Sequence, residues 1–207
     1  IMEQRSAEWF SARLGKVTAS KVDDVMVKVR NGESTYKRKY RMQLVTERLT
    51  NKVVPVFMNS AMAHGVEFED KARVEYANKM KLLIGKDVRE VGFIDHPTIK
   101  MAGASPDGLV GLNGLIEIKC PQPMTHTETL QTGVIAKKYI HQMQWQMACV
   151  GKDWCDFVSY HPDFPKEYQL FIKRVERDND LISRCEGDIQ EFLTSVEDII
   201  KSIKENN

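Results

Sequence analysis

Ser105-Pro106-Asp107-Gly108, with nine residues between Asp107 and the next acid, then Glu117-Ile118-Lys119: the reading of the fold turns on this stretch. Leu109-Val110 and Leu115 to Lys119 read as short strands joined across Gly111-Leu112-Asn113-Gly114, whose glycines suit a tight hairpin. In such a hairpin the carboxylates of Asp107 and Glu117 meet at one end. Glu117 and Lys119, two residues apart on one strand, point to the same face. Two acidic oxygen donors beside an ammonium suit a hard divalent cation. Mg2+ would take Asp107, Glu117 and the Ile118 carbonyl and keep several waters, one of which Lys119 could orient or deprotonate. A second ion about 3.5 to 4 Å away would stabilise the leaving oxygen of a phosphodiester. Pro-Asp ahead of Glu-x-Lys also arises by chance in charged proteins, so the surroundings must carry part of the argument.

Those surroundings change period on either side. Upstream, Ser6 can cap a helix through Arg13, and Thr18 or Ser20 the next, with Val22, Val25 and Met26 on one face. A loop at Asn31-Gly32 precedes a helix from Tyr36 to Leu49, and another runs from Gly65 to Met80, offering Glu67, Glu69 and Asp70 as further carboxylates. Val88 to Ile94 suggests one strand, His96-Pro97 a turn, and Ile99 to Ala104 a second strand. Pro121 and Pro123 end the Glu117 strand. A helix over Ala136 to Val150 and a strand over Trp154 to Tyr160 follow. This order predicts an α/β fold, a central mixed sheet flanked by helices. At the end Ile182, Cys185, Ile189, Phe192, Val196, Ile199 and Ile203 recur at steps of three and four, an amphipathic helix read as covering its own core in preference to a coiled coil.

The 207 residues are 42% hydrophobic and 29% charged, which excludes disordered and collagen-like classes, and no apolar run approaches the roughly 20 residues of a membrane span. Ile1-Met2-Glu3-Gln4-Arg5 lacks the pattern of a secretory signal, and Ile1 before Met2 reads as a cloning remnant, so the expected compartment is a reducing cytoplasm. Cys120, Cys149, Cys155 and Cys185 lack C-x-x-C spacing and read as buried thiols. The formal charge of +1 hides a separation. Residues 27–41 hold six bases against one acid, and residues 176–207 hold nine acids against four bases.

Several separate stretches together resemble the PD-(D/E)xK nuclease superfamily and, within it, the lambda exonuclease and YqaJ-type viral recombinase family. Ser105-Pro106-Asp107-Gly108-Leu109 and Glu117-Ile118-Lys119-Cys120-Pro121 match its core. Gly65-Val66-Glu67-Phe68-Glu69 with Ala72-Arg73 resembles its G-x-x-x-E helix, which selects Glu69 over Glu67 and Asp70. Tyr139-Ile140-His141-Gln142-Met143-Gln144 resembles its Y-x-x-Q-x-Q, and Trp9, Arg13-Leu14-Gly15 and Thr18-Ala19-Ser20 its N-terminal motif. The likeness spans roughly residues 5 to 165, weakest between Tyr36 and Ala61.

The resemblance implies a restriction-endonuclease-like core with N-terminal helices and a C-terminal amphipathic helix. It divides a single nuclease domain, 1–207, into an N-terminal DNA-end-binding part (5–62), the core (63–165) and a C-terminal extension (166–207). It also implies that Asp107, Glu117, the Ile118 carbonyl and Glu69 hold two Mg2+ ions, with Mn2+ able to substitute, and that Lys119 activates water. Arg13, Ser20, Ser105 and Gln142 would bind a 5′-terminal phosphate, with Tyr139 one helical turn from Gln142; alone, Arg13 and Gln142 would read as a solvated helix face. Arg30 would enter the minor groove of the duplex. Met62 would wedge terminal bases apart, although a lone Met reads equally as core. The implied activity is 5′-to-3′ degradation of double-stranded DNA to mononucleotides, by a homotrimeric ring working with a single-strand annealing protein in phage-type recombination. An endonuclease on the same core, or a DNA-binding scaffold without catalysis, are the alternatives.

Overall fold

The computed structural model describes residues 3–55, 58–84 and 87–206; Ile1 and Met2 lie outside them. Helix α1 (Ala7–Arg13) begins where Ser6 Oγ accepts the Trp9 amide, as its sequence predicts. Strand β1 (Val17–Thr18), a single 3-10 turn and α2 (Val22–Met26) follow. Helix α3 (Thr35–Thr50) starts under a cap from Ser34. Helix α4 (Ser60–Ile84) extends beyond its expected bounds at both ends.

The next two strands depart from the sequence reading. Val88 to Ile94 is not one strand but two, β2 (Val88–Arg89) and β3 (Ile94–Asp95), in different sheets. Between them the Val91 carbonyl accepts the Gln4 side chain and Glu90 reaches Arg73, so the chain is tied to the N-terminal segment and α4 where it would otherwise continue a ladder. Ile99 to Ala104 shortens to β4 (Ala102–Ala104). The His96 ring accepts the Thr98 and Ile99 amides, folding that stretch into a turn, and Met101 has a left-handed φ of 62°.

Strands β5 (Gly108–Val110) and β6 (Gly114–Lys119) form the expected hairpin. Gly114 has no substitute, since a Cβ there would lie 2.2 Å from the Trp154 indole. Helix α5 (Pro123–Thr132), unforeseen, opens on the proline read as a strand stop, a residue preorganised for a first helical turn. Helix α6 (Lys137–Val150), β7 (Trp154–Tyr160), a further unforeseen strand β8 (Leu170–Glu176) and α7 (Asn179–Glu205) complete the chain.

Two sheets result, ordered β1-β4-β3 and β2-β5-β6-β7-β8, with β6 and β7 parallel and their neighbours antiparallel. Strand β6 is covered on both faces. Ile116 and Ile118 pack against Ala72, Tyr76 and Met80 of α4, while Leu115 packs with Met143 and Met147 of α6. Alternation therefore places Glu117 on the α6 face. Helix α7 buries Ile182, Cys185, Ile189, Phe192, Val196 and Ile200 against α2 and α3, so its apolar stripe belongs to its own core. All four cysteines are buried free thiols.

Candidate active site

A cleft of about 170 Å³ opens where β5 begins and β6 ends, lined by Arg13, Ser20, Glu69, Ser105, Asp107, Glu117, Ile118, Lys119 and Gln142 together with Gln4, Arg5 and Trp9. Nine residues singled out in the sequence, drawn from five separate segments, thus share one small space.

Glu117 is the most confined of them, 1% exposed. Its Oε1 accepts from Gln142 at 2.7 Å and lies 2.5 Å from Lys119 Nζ, and its Oε2 accepts from Gln146 at 2.6 Å. Asp107 meets the strand as expected: its Oδ2 accepts the Ile118 amide at 2.6 Å. Burial, and then the charges of Glu117 and Glu69, push the Asp107 carboxyl well above the ordinary carboxylate range. Burial would lower the Lys119 ammonium, but Glu117 and Asp107 outweigh it and hold the group above the usual lysine range. Tyr139 stacks on Phe157 and presents its ring 5.0 Å from Lys119 Nζ, outside the cleft lining.

Glu69 stands on α4, between Arg73 at 3.1 Å and Arg5 at 2.5 Å. Arg73 also donates to the Asp107 carbonyl at 2.9 Å, which fixes α4 to the start of β5. On the opposite wall Ser105 Oγ accepts from Trp9 Nε1 at 2.9 Å and from Arg13 at 3.1 Å, and the Arg13 guanidinium lies 3.9 Å over the Trp9 ring. Burial lowers the Arg13 pKa to about 10, which leaves it cationic at neutral pH. The turn after α1 is held by Gly15, whose amide donates to Glu47 and whose carbonyl accepts from Arg48; its φ of 66° and a would-be Cβ contact of 2.7 Å with Arg48 both require glycine.

Besides Tyr139, two residues lie outside the cleft lining. Arg30 is exposed in the loop between α2 and α3, away from the cleft lining. Met62 is 43% exposed, which removes the core reading, and lines an adjoining pocket of about 370 Å³ that shares Trp9, Arg13 and Ser20 with the cleft.

Sequence reasoning missed Gln146, Arg5 and Gln4. The Y-x-x-Q-x-Q pattern drew attention to Gln144, but that side chain bonds the Glu176 carbonyl and the Asp178 amide on another face of α6. The partner of Gln142 is Gln146, one turn further. The usable signal was the i, i+4 spacing. Arg5 and Gln4 left no signal of this kind.

Among the described residues, no three His, Cys, Asp or Glu side chains converge as a ready metal cluster. Glu69 is held by Arg5 and Arg73. The donors nonetheless fit a hard divalent cation: they are all oxygen, and the half-buried Asp107 carboxyl is pushed up by desolvation and by the charges of Glu117 and Glu69 beside it.

Residues 8–153 match the YqaJ-like viral recombinase domain. The chain belongs to that family. It is 48% identical to the alkaline exonuclease LHK-Exo of Laribacter hongkongensis over 97% of each chain, with a TM-score of 0.88, and 0.89 against LHK-Exo in complex with dAMP. A phage-related exonuclease from Haemophilus somnus, 14% identical over 91% of this chain and 96% of its own, shares the fold with a TM-score of 0.67. No curated protein matches. This YqaJ-family chain thus has the mixed α/β architecture of restriction-endonuclease-like nucleases, with helices on both faces of β6, and no described helix is long and apolar enough to cross a membrane.

Proposed function

We propose that this YqaJ-family chain is a divalent-metal-dependent 5′-to-3′ exonuclease of double-stranded DNA that releases mononucleotides and leaves a 3′ single strand for recombination by annealing. One observation carries the reading: Asp107, Glu117 and Lys119 share a small cleft with Arg13, Ser20, Ser105 and Gln142. A carboxylate pair that can hold a cation lies beside a group of phosphate donors, so hydrolysis can be measured off from a terminal phosphate. The 48% identity to an alkaline exonuclease supports the same reading.

Asp107, Glu117, the Ile118 carbonyl and Glu69 would hold Mg2+, with two ions the expected number and Mn2+ able to replace them. The metal would polarise the scissile phosphate and lower the pKa of bound water. The chain's own residues do the rest. Gln142 and Gln146 fix both oxygens of Glu117, and Lys119, held by that carboxylate under Tyr139, orients the attacking water. Arg13 supplies a charge-assisted contact to the 5′ phosphate, flanked by Ser20, Ser105 and Gln142. Met62 wedges the terminal bases apart and Arg30 follows the minor groove. Residues 5–62 then form the end-binding part, 63–165 the catalytic core and 166–207 the extension. A homotrimeric ring acting with a single-strand annealing protein, in the host cytoplasm, completes the proposal; light scattering checks the trimer.

The test is to incubate linear duplexes with 5′-phosphate or 5′-hydroxyl ends, and a closed circle, in Mg2+ or EDTA. Mononucleotides released from the phosphorylated linear duplex in Mg2+ alone are expected. Cutting of the circle would overturn the reading in favour of an endonuclease, and no release in any condition would leave a DNA-binding scaffold.

A further inference from the structure

Gln4 and Arg5 line the cleft, and Arg5 has an unusual backbone. Arg5 has φ 67°, the left-handed region that disfavours a side chain. Such a conformation persists where the surroundings over-determine it, and here they do. Gln4 Nε2 donates to both the Val91 and Pro106 carbonyls at 2.9 Å, and Ser6 is committed to capping α1. Clamped on both sides, the chain directs the Arg5 side chain into the cleft. Its guanidinium there meets Glu69 at 2.5 Å.

Arg5 is the second arginine on Glu69. Arg73, its side chain 10% exposed, also pairs with that carboxylate and is anchored in turn to the Asp107 carbonyl, Asp70 and Glu90, so Glu69 keeps a fixed partner when Arg5 leaves. The Arg5 side chain is 40% exposed and has Glu69 as its described partner, leaving further N–H donors available. Among the residues lining the cleft, three carboxylates (Glu69, Asp107, Glu117) face three cations (Arg5, Arg13, Lys119). A divalent cation taken up by these carboxylates would compete with the cations paired to them, Arg5 on Glu69 and Lys119 on Glu117, and so free positive charge for a phosphate.

We infer that Arg5 is a phosphate-binding residue of this cleft, held by Glu69 until that carboxylate turns to a divalent cation and then bonding the phosphate of the DNA strand. The inference rests on the metal-site reading above in assigning what displaces Arg5. The availability of Arg5 to a phosphate once Glu69 lets go does not depend on that reading.

Calorimetric titration of the full chain with thymidine 5′-monophosphate, in EDTA and in Ca2+, tests both parts. Ca2+ is expected to raise the affinity of the wild-type chain. Arg5→Gly, which suits the left-handed backbone, is expected to lose about tenfold in Ca2+ and under twofold in EDTA. Arg5→Lys should recover part of the loss. In EDTA, Glu69→Gln should bind the nucleotide more tightly than wild type, and the added Arg5→Gly change should remove that gain. Equal Ca2+ affinities for wild type and Arg5→Gly, or a Glu69→Gln gain that survives in the double variant, would overturn the role of Arg5 and leave the metal site standing. A wild-type affinity indifferent to Ca2+, with the Glu69→Gln gain still dependent on Arg5, would overturn the metal as the displacing agent while keeping Arg5 as a phosphate ligand.

Discussion

The floor and the rim of the cleft are built on opposite terms. On the floor, Glu117 lies on a strand covered on both faces, and the partners on its two oxygens come from β6 itself and from α6. At the rim Arg5 is tied to Glu69 by one partly exposed ion pair; beyond it Met62, 43% exposed, lines the adjoining pocket and Arg30 stands in an exposed loop. Buried hydrogen-bonded charge resists rearrangement, because a vacated partner leaves a desolvated group behind. Exposed pairs exchange for little free energy. On the proposed function, chemistry that needs fixed oxygens would belong on the floor, and contacts remade with each nucleotide would belong at the rim. Floor substitutions should therefore affect turnover, and rim substitutions should affect binding.

Lys119→Ala gives the largest expected effect and the cleanest break in that contrast. Hydrolysis should fall by about 10²- to 10⁴-fold, the range of a positioned proton-handling group, with duplex-end binding retained. Single-turnover cleavage alongside an end-binding assay checks it; near-normal turnover would remove Lys119 from its assigned role.

Next comes Gln146→Leu, a test of the floor that the family motif did not suggest. Gln146 is fully buried and bonds one oxygen of Glu117, so its loss should act through the carboxylate, lowering metal affinity or activity by about 10- to 100-fold. The midpoint of a Mg2+ titration should move upward while the KM for DNA stays close to wild type. A purely structural residue would lower the melting temperature without moving that midpoint.

Arg13→Ala probes the boundary between the two regions, since Arg13 is half-buried against Trp9 yet lines the cleft. Loss of a charge-assisted contact of about 1.5 kcal/mol corresponds to roughly tenfold. The expected readout is a preference for 5′-phosphorylated over 5′-hydroxyl ends that collapses toward unity. A full preference in the variant would place the phosphate elsewhere.

The same division governs what could be read from sequence. Strand alternation and the glycine turn put Asp107, Glu117 and Lys119 together without any structure, because their contacts are local in sequence. The heptad-like spacing of α7 announced its buried stripe for the same reason. What failed depended on distant partners. The single strand expected over Val88 to Ile94 breaks because Gln4, 87 residues away, claims the Val91 carbonyl. Arg5 reaches Glu69 only through a left-handed turn that its residue type argues against.

Arg30→Ala is the smallest perturbation and the sharpest test of the rim. Arg30 belongs to the stretch from residue 27 to 41 in which six bases outweigh one acid, so on the proposed function its neighbours would still supply most of the local attraction for DNA. Removing one cation of that set should weaken duplex binding only a few-fold at moderate salt. It should also flatten the dependence of log affinity on log salt by about one unit, the signature of a single released counterion. Turnover at saturating DNA should stay at the wild-type value, because Arg30 is not among the residues that line the cleft. An unchanged salt slope would take Arg30 off the duplex, and a fall in saturated turnover would show that floor and rim are coupled.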